Sequence, residues 1–330
     1  MSKRRMWIRI GCSLLILILV LVMLYSGLQI LESTVFHSEA EQAEQDQYVS
    51  KTIVRNGTAY YPRADITVIL VMGIDVEGPV VSSAYYRNSG ASDMVALVIL
   101  DQQTESYRIL CLNRDMMVNM PVIGLDGKQA GTYFGQLALS HTYGSGLEDS
   151  AENTRKTVSD LLYGIQIDHY VSMNIDGIGI LNDAVGGVEV HVTDDFSAVD
   201  STITTGQIRL NGKQATSFVR SRQGVGTEMN LSRMERQKEY MKGLADALEG
   251  KLAQSEDFVV DLYEQMDPYV VTDCSVTVLS SLLQRCSDYE MEHVISIEGE
   301  NVRGEEYYEF YADEEALDTL ILELFYAPKK

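Results

Sequence analysis

Positive charge is scarce in this chain: 26 lysines and arginines face 48 acidic residues, for a formal net charge of -22. An acidic exterior repels a phosphate backbone, which excludes nucleic acid as a partner. Histidine and cysteine are scarcer still, at five and four residues. The histidines show no H-E-x-x-H or related spacing, so nothing indicates a metal held by nitrogen and sulfur. Cys12 and Cys111 lie in apolar runs and read as packing residues. Cys274 and Cys286 are candidates for a disulfide outside the cell, with free thiols the equal alternative. Gly212-Lys213-Gln214 lacks the glycine spacing and the hydroxyl of a P-loop, and no G-x-S-x-G occurs. Internal repeats and a clear interdomain linker are also missing.

One long apolar run is present, from Ile10 to about Leu31. A run of about twenty apolar residues suits the core of a bilayer. Lys3, Arg4, Arg5 and Arg9 precede it, and Glu32, Glu39, Glu41, Glu44 and Asp46 follow. The positive-inside rule therefore places residues 1–9 in the cytoplasm and everything after residue 32 outside the cell. No convincing small-x-small cleavage site follows, which favours an uncleaved membrane anchor over residues 10–31. Residues 32–63 are polar and read as a juxtamembrane spacer.

From residue 64 the character changes. "ITVILVMGID", "DMVALVIL" and "SYRILCLNRD" are apolar on both alternations, the pattern of strands buried on both faces. Such strands need helices above and below them. Helical stretches follow in "SAENTRKTVSDLLYG", "DGIGILNDAVGG" and from about Ser232 to Leu252, with strands "DHYVSMNI" and "VEVHV" between them. The expected fold is α/β: a central mixed β-sheet covered by helices on both faces, preceded by one transmembrane helix, with residues 64–330 as one extracellular domain.

Two of the strands are joined by "DQQTES", short enough for an antiparallel hairpin. Pairing Leu100 with Tyr107 sets Asp93 opposite Arg114, and an antiparallel first strand brings Asp75 to the same edge. Asp75, Asp93, Arg114 and Asp115 then gather at one rim. Two carboxylates without a His/Cys pattern suit a hard cation such as Mg²⁺, which takes oxygen ligands and bridges to phosphate. The stretch "FVRSRQGVGTEMNLSRMERQ" adds Arg220, Arg222, Arg233 and Arg236, a cluster fit for one phosphorylated ligand. Read as extended chain, Arg220 and Arg222 share a face. Ser232 and Glu235 form a capping-box pattern, so a helix is expected to start there. On that helix Gln237 lies about 40° from Arg233, on the face of Met241, Leu244 and Leu248. Arg233 and Gln237 are thus expected to line a ligand pocket, with Arg236 toward its margin, and Arg233 to contribute little to stability.

"MGID", "SDMVALVILDQQTESYRILCLNRD", "IDHYVSMNIDGIGILNDAVGGVEVHV", "LNGKQATSFVRSR" and "SRMERQ" occur in the order found in the LytR-CpsA-Psr family, which this chain resembles over about residues 65–245. The resemblance implies a membrane-anchored external enzyme that moves glycopolymers from polyprenyl pyrophosphate lipids to peptidoglycan with Mg²⁺. It also implies metal-associated roles for Asp75 and Asp93. Arg114, Arg220 and Arg222 would then act in catalysis, and Arg233, Arg236 and Gln237 in substrate binding. Asp115 is a candidate general base or an ion-pair partner that orients arginine. Ala91 and Ala138 stand where the family commonly has basic residues, and Asn230 where aspartate is common; Arg87 is the nearest replacement cation. These departures keep two other readings open: a non-catalytic binder of lipid-linked wall precursors, or a hydrolase of the pyrophosphate.

Overall fold

The computed structural model describes residues 52–83, 89–124, 128–226, 230–255 and 257–328. The expected anchor over residues 10–31 and the candidate Arg87 lie outside the described residues, among which no helix is long and apolar enough to cross a membrane.

The strands are β1 (Ile53–Arg55), β2 (Thr58–Pro62), β3 (Ile66–Ile74), β4 (Ser92–Asp101), β5 (Ser106–Leu112), β6 (Met117–Ile123), β7 (Gln129–Gln136), β8 (His169–Asn174), β9 (Val188–Val192), β10 (Gly206–Leu210), β11 (Val270–Thr272), β12 (Glu290–Ser296), β13 (Gly299–Arg303), β14 (Tyr308–Ala312) and β15 (Tyr326–Pro328). The helices are α1 (Glu148–Leu161), α2 (Ile175–Ala184), α3 (Gly212–Arg220), α4 (Asn230–Leu252), α5 (Phe258–Met266), α6 (Val276–Asp288) and α7 (Glu314–Phe325).

A six-stranded sheet in the order β11-β8-β3-β4-β5-β12 forms the centre. It is mixed: β3 runs antiparallel to β4 and parallel to β8, while β5 runs antiparallel to β4 and parallel to β12. Leu100 pairs with Tyr107, the register that the short turn demands. The double alternation of the strands has its physical cause in two cores. Leu70, Met72, Leu97 and Leu110 point to one face and pack with Val158 of α1 and Ile321 of α7. Ile69, Ala96, Leu100 and Ile109 point to the other and meet Met234 of α4 and Leu282 of α6. Sheet faces are covered on both sides, as the apolar runs require.

Several elements depart from the sequence reading. Residues 53–62, assigned to the spacer, form β1 and β2, and β2 pairs with β15 near the C-terminus. The segment containing Arg220 is not extended. It is α3, whose N-cap Asn211 accepts from the Gln214 amide while the Gln214 side chain accepts from the Asn211 amide, 3.0 Å each. Helix α4 begins at Asn230, two residues before the expected cap at Ser232. Cys274 and Cys286 are free thiols, so the disulfide alternative falls away.

Candidate functional site

The register of the hairpin holds in space. β3 ends at Ile74, β4 starts at Ser92 and β5 ends at Leu112, so Asp75, Asp93, Arg114 and Asp115 leave the sheet at one rim. The Asp75 amide donates to the Ala91 carbonyl at 3.0 Å, which ties the two strand ends together. Asp93 is the hub. Its Oδ1 accepts from Arg114 Nη1, its Oδ2 accepts from Arg233 Nη1 at 2.6 Å, and its carbonyl accepts from Arg233 Nη2 at 3.3 Å. Arg233 is 1% exposed, so this is a buried ion pair rather than a surface one. Asn230 Oδ1 accepts a further bond from Arg233 at 2.7 Å, and its amide donates to Asn113 at 2.8 Å. A neutral amide at this position still orients the guanidinium without cancelling its charge.

The rim holds more positive charge than its carboxylates neutralise locally. Burial, together with repulsion from neighbouring arginines, pulls Arg114 and Arg233 down to about 10, which leaves both charged at neutral pH. Arg222 adds to the repulsion on each of them. The Nε of Arg233 is buried without an acceptor, and the buried Nε of Arg114 has only Asp115 Oδ1 at 3.4 Å. Unpaired buried donors are costly, and an anionic ligand satisfies them. Burial also raises the Asp115 carboxyl above its ordinary range, against the pull of Arg114. Gln136 holds it in place by donating to Asp115 Oδ1 at 2.9 Å.

Arg220 sits apart from this buried group. It ends α3 about half exposed, with Asp75 Oδ1 at 3.0 Å and Glu77 Oε1 at 2.8 Å. Because α3 is helical to Arg220, Arg220 and Arg222 do not share a face; they line different recesses. The first recess is a cavity of about 680 Å³ between the sheet and helices α2, α4, α5 and α6. Asp75, Asp93, Arg220, Arg233 and Gln237 line it, and Val71, Ile109, Leu181, Leu248, Met266 and Leu283 belong to its apolar majority. The second is a pocket of about 230 Å³ whose lining includes Arg114, Asp115, Gln136, Arg222, Arg303 and Tyr307.

Arg233 and Gln237 therefore face the cavity, as the helical period requires. Arg236 does not: it lines neither recess. It is 4% exposed, donates to the carbonyls of Phe218 and Ser221, pairs with Asp194 at 2.6 Å and lies over the Phe196 ring. Arg236 binds the end of α3 to α4 instead of a substrate. Arg236→Met is expected to lower the unfolding free energy by about 3 kcal/mol, since it strands Asp194 and two carbonyls. Ligand bound per folded molecule, measured after urea titration establishes the folded fraction, should stay at the wild-type level.

At this rim, oxygen donors alone are offered for a cation: Asp75 and Asp93, with no third acidic, histidine or cysteine group clustered beside them among the described residues. Each Asp93 oxygen accepts one guanidinium bond and keeps a second lone pair. Two hard carboxylates fit Mg²⁺, which retains water and phosphate oxygens as its other ligands. Ala138 is fully buried in the 3-10 turn Leu137–Thr142, where its amide donates to the Arg114 carbonyl at 3.0 Å. It supports the backbone of the rim without adding charge. Gln136, Asn113 and the β13–β14 residues are components that the sequence reading missed.

The model of the LytR_cpsA_psr family matches residues 27–324. A TagU of Oceanobacillus iheyensis, named as a polyisoprenyl-teichoic acid–peptidoglycan teichoic acid transferase, is 26% identical over 325 residues, covering 95% of this chain and 92% of that protein. The crystal structure of B. subtilis TagV is similar at a TM-score of 0.60 and 25% identity, over 79% of this chain and 96% of that one. TagT bound to LIIa-WTA has the same fold, with a TM-score of 0.61 and 22% identity over 79% of this chain and 90% of that one. Strand-end rim, arginine cluster and family match agree, and the chain belongs to the LytR_cpsA_psr family.

Proposed function

We propose that this chain transfers a glycopolymer from a polyprenyl pyrophosphate carrier to peptidoglycan, as the name of its TagU relative describes for that protein. The observation that carries this reading is the junction of two environments. A rim of buried arginines meets a cavity of about 680 Å³ with an apolar majority, which suits a pyrophosphate joined to a long isoprenoid. Arg233 and Arg114 present guanidinium groups that match phosphate oxygens bidentately, and Arg220 adds a third from the mouth. Gln237 is held by the Val219 carbonyl at 3.2 Å and faces the same space.

Phosphoryl transfer asks the protein mainly to position groups and to stabilise charge. Asp75 and Asp93 would hold Mg²⁺ against the pyrophosphate. When bound, the ion would neutralise charge that builds on the transferred and departing oxygens. Arg114 and Arg233 keep their charge throughout, and their burial makes each phosphate contact stronger than it is in water. The apolar walls exclude water from the lipid side of the phosphate. By this reading the apolar run over residues 10–31 anchors the chain in the plasma membrane, with the catalytic domain outside.

The full chain purified in detergent should carry polyprenyl phosphate lipid visible by mass spectrometry. With labelled lipid-linked polymer and peptidoglycan it should yield labelled peptidoglycan and free polyprenyl phosphate, and EDTA should stop the reaction until Mg²⁺ is restored. Lipid bound without turnover would leave a binding protein. Label released as free polymer would leave a hydrolase.

A further inference from the structure

The pocket of about 230 Å³ has Arg114 in its lining and shares no lining residue with the cavity of about 680 Å³. Its walls come from parts of the chain that are distant in sequence. Arg114, Asp115 and Gln136 close one side, and Asn301, Arg303 and Tyr307 close another. The β13–β14 hairpin is fixed to the rim rather than resting beside it. The Phe310 amide donates to the Asp115 carbonyl at 2.8 Å, and Gln136 Nε2 donates to the Tyr308 carbonyl at 2.8 Å. The Arg303 guanidinium stacks 4.8 Å from the Tyr308 ring centroid. Tyrosine faces, arginine forks and an asparagine around a small polar recess form a surface that accepts a sugar ring: apolar C–H faces against aromatic rings, hydroxyls against fixed donors.

Which sugar it accepts follows from the chemistry of displacement. Entering and leaving oxygens lie roughly in line across the phosphorus. On the transferase reading the lipid phosphate departs toward the apolar cavity, so the attacking hydroxyl must enter from outside it. Asp115 lines the small pocket and not the cavity. Its side-chain contacts to Gln136 and Arg114 both fall on Oδ1, which leaves Oδ2 available as a proton acceptor. A donor sugar has no proton to give up in this step; an acceptor hydroxyl does.

We propose that the pocket bounded by Asp115, Arg222, Arg303, Tyr307 and Tyr308 seats the acceptor saccharide, a pyranose of the peptidoglycan strand, and that Asp115 receives the proton of its attacking hydroxyl. This rests on the transferase reading. The hydroxyl oxygen bonds to the phosphorus that carries the glycopolymer, and the bond from that phosphorus to the bridging oxygen breaks. The electron pair leaves on polyprenyl phosphate, and the hydroxyl proton passes to Asp115 Oδ2.

Binding tests the subsite without requiring turnover. A soluble, uncrosslinked peptidoglycan strand is titrated against the full chain in detergent and followed by saturation-transfer NMR. Arg303→Ala and Tyr307→Ala should each weaken the strand about tenfold, the loss of one stacked or forked contact. Tyr307→Phe, which keeps the ring, should retain binding. Polyprenyl lipid that co-purifies should be unchanged in all three, because none of these residues lines the lipid cavity. Strand binding equal to wild type in both alanine variants would overturn the subsite. So would weakened binding of the lipid-linked donor with the strand unaffected, which would place the donor's own sugar there. Weakened strand binding in variants of a chain that transfers no polymer would keep the saccharide subsite and sink the transferase reading alone.

Discussion

Replacing Arg233 with alanine will strip polyprenyl lipid from the purified chain and lower its unfolding free energy by about 3 kcal/mol. Sequence reasoning alone expects the first effect without the second, because an arginine on the inward face of a helix beside an anion site looks like a ligand-binding group. The structure adds a second role. Arg233 is 1% exposed and donates to the Asp93 carboxylate, to the Asp93 carbonyl and to Asn230. Truncation leaves a carbonyl and an amide oxygen short of a donor and opens a void beside Met234 of the sheet core. The loss stays near the lower end for a buried pair because Arg114 remains on the other Asp93 oxygen. Arg233→Lys separates the roles: one ammonium can satisfy Asp93 but cannot grip phosphate with two parallel bonds. Urea unfolding should therefore show partial recovery of stability, with lipid occupancy still low. Full lipid occupancy in Arg233→Ala would remove the residue from the binding site.

What the sequence reveals about this site is the part set by short-range geometry. A four-residue turn between two doubly apolar strands leaves one sensible register, and that register alone carries Asp93 to Arg114. Helical periodicity does the same for Arg233 and Gln237. Arg236 shows where this reasoning stops. It is three positions from Arg233, near enough in angle to be placed at the pocket margin, yet the carbonyls of Phe218 and Ser221 wait for it at the end of α3. The Asn-x-x-Gln pattern at Asn211 is a capping-box signal for this helix that the extended-chain reading overlooked. The β13–β14 hairpin had no comparable signal. Every residue of "GENVR" is exposed, so no alternation marks the strand. Its bearing on Asp115 depends on a backbone bond from Phe310 that no local pattern announces.

Asp93→Asn will reduce polymer transfer by at least about 100-fold, the scale of losing one preorganised charged contact at a reacting group. It will also destabilise the chain, although the position lies at the sheet rim. Asp93 is the shared counter-charge of Arg114 and Arg233, whose side chains are 14% and 1% exposed. An asparagine oxygen can accept from one of them, while its NH₂ group meets the other donor to donor. Two partly neutralised guanidinium groups then remain in a low-dielectric setting, a cost of about 3 kcal/mol. Inorganic pyrophosphate should recover part of this in a thermal-shift assay, with a larger rise in melting temperature for the variant than for wild type, because the anion binds where charge is least compensated. Asp75→Asn provides the contrast. Asp75 pairs with Arg220 where both side chains are about 40% exposed, so stability should move by less than about 1 kcal/mol. On the proposed Mg²⁺ role, transfer should nevertheless fall, because a neutral amide oxygen binds the ion more weakly than the carboxylate it replaces. Wild-type transfer rates in both variants would dismiss the metal role of the pair, whatever their stabilities.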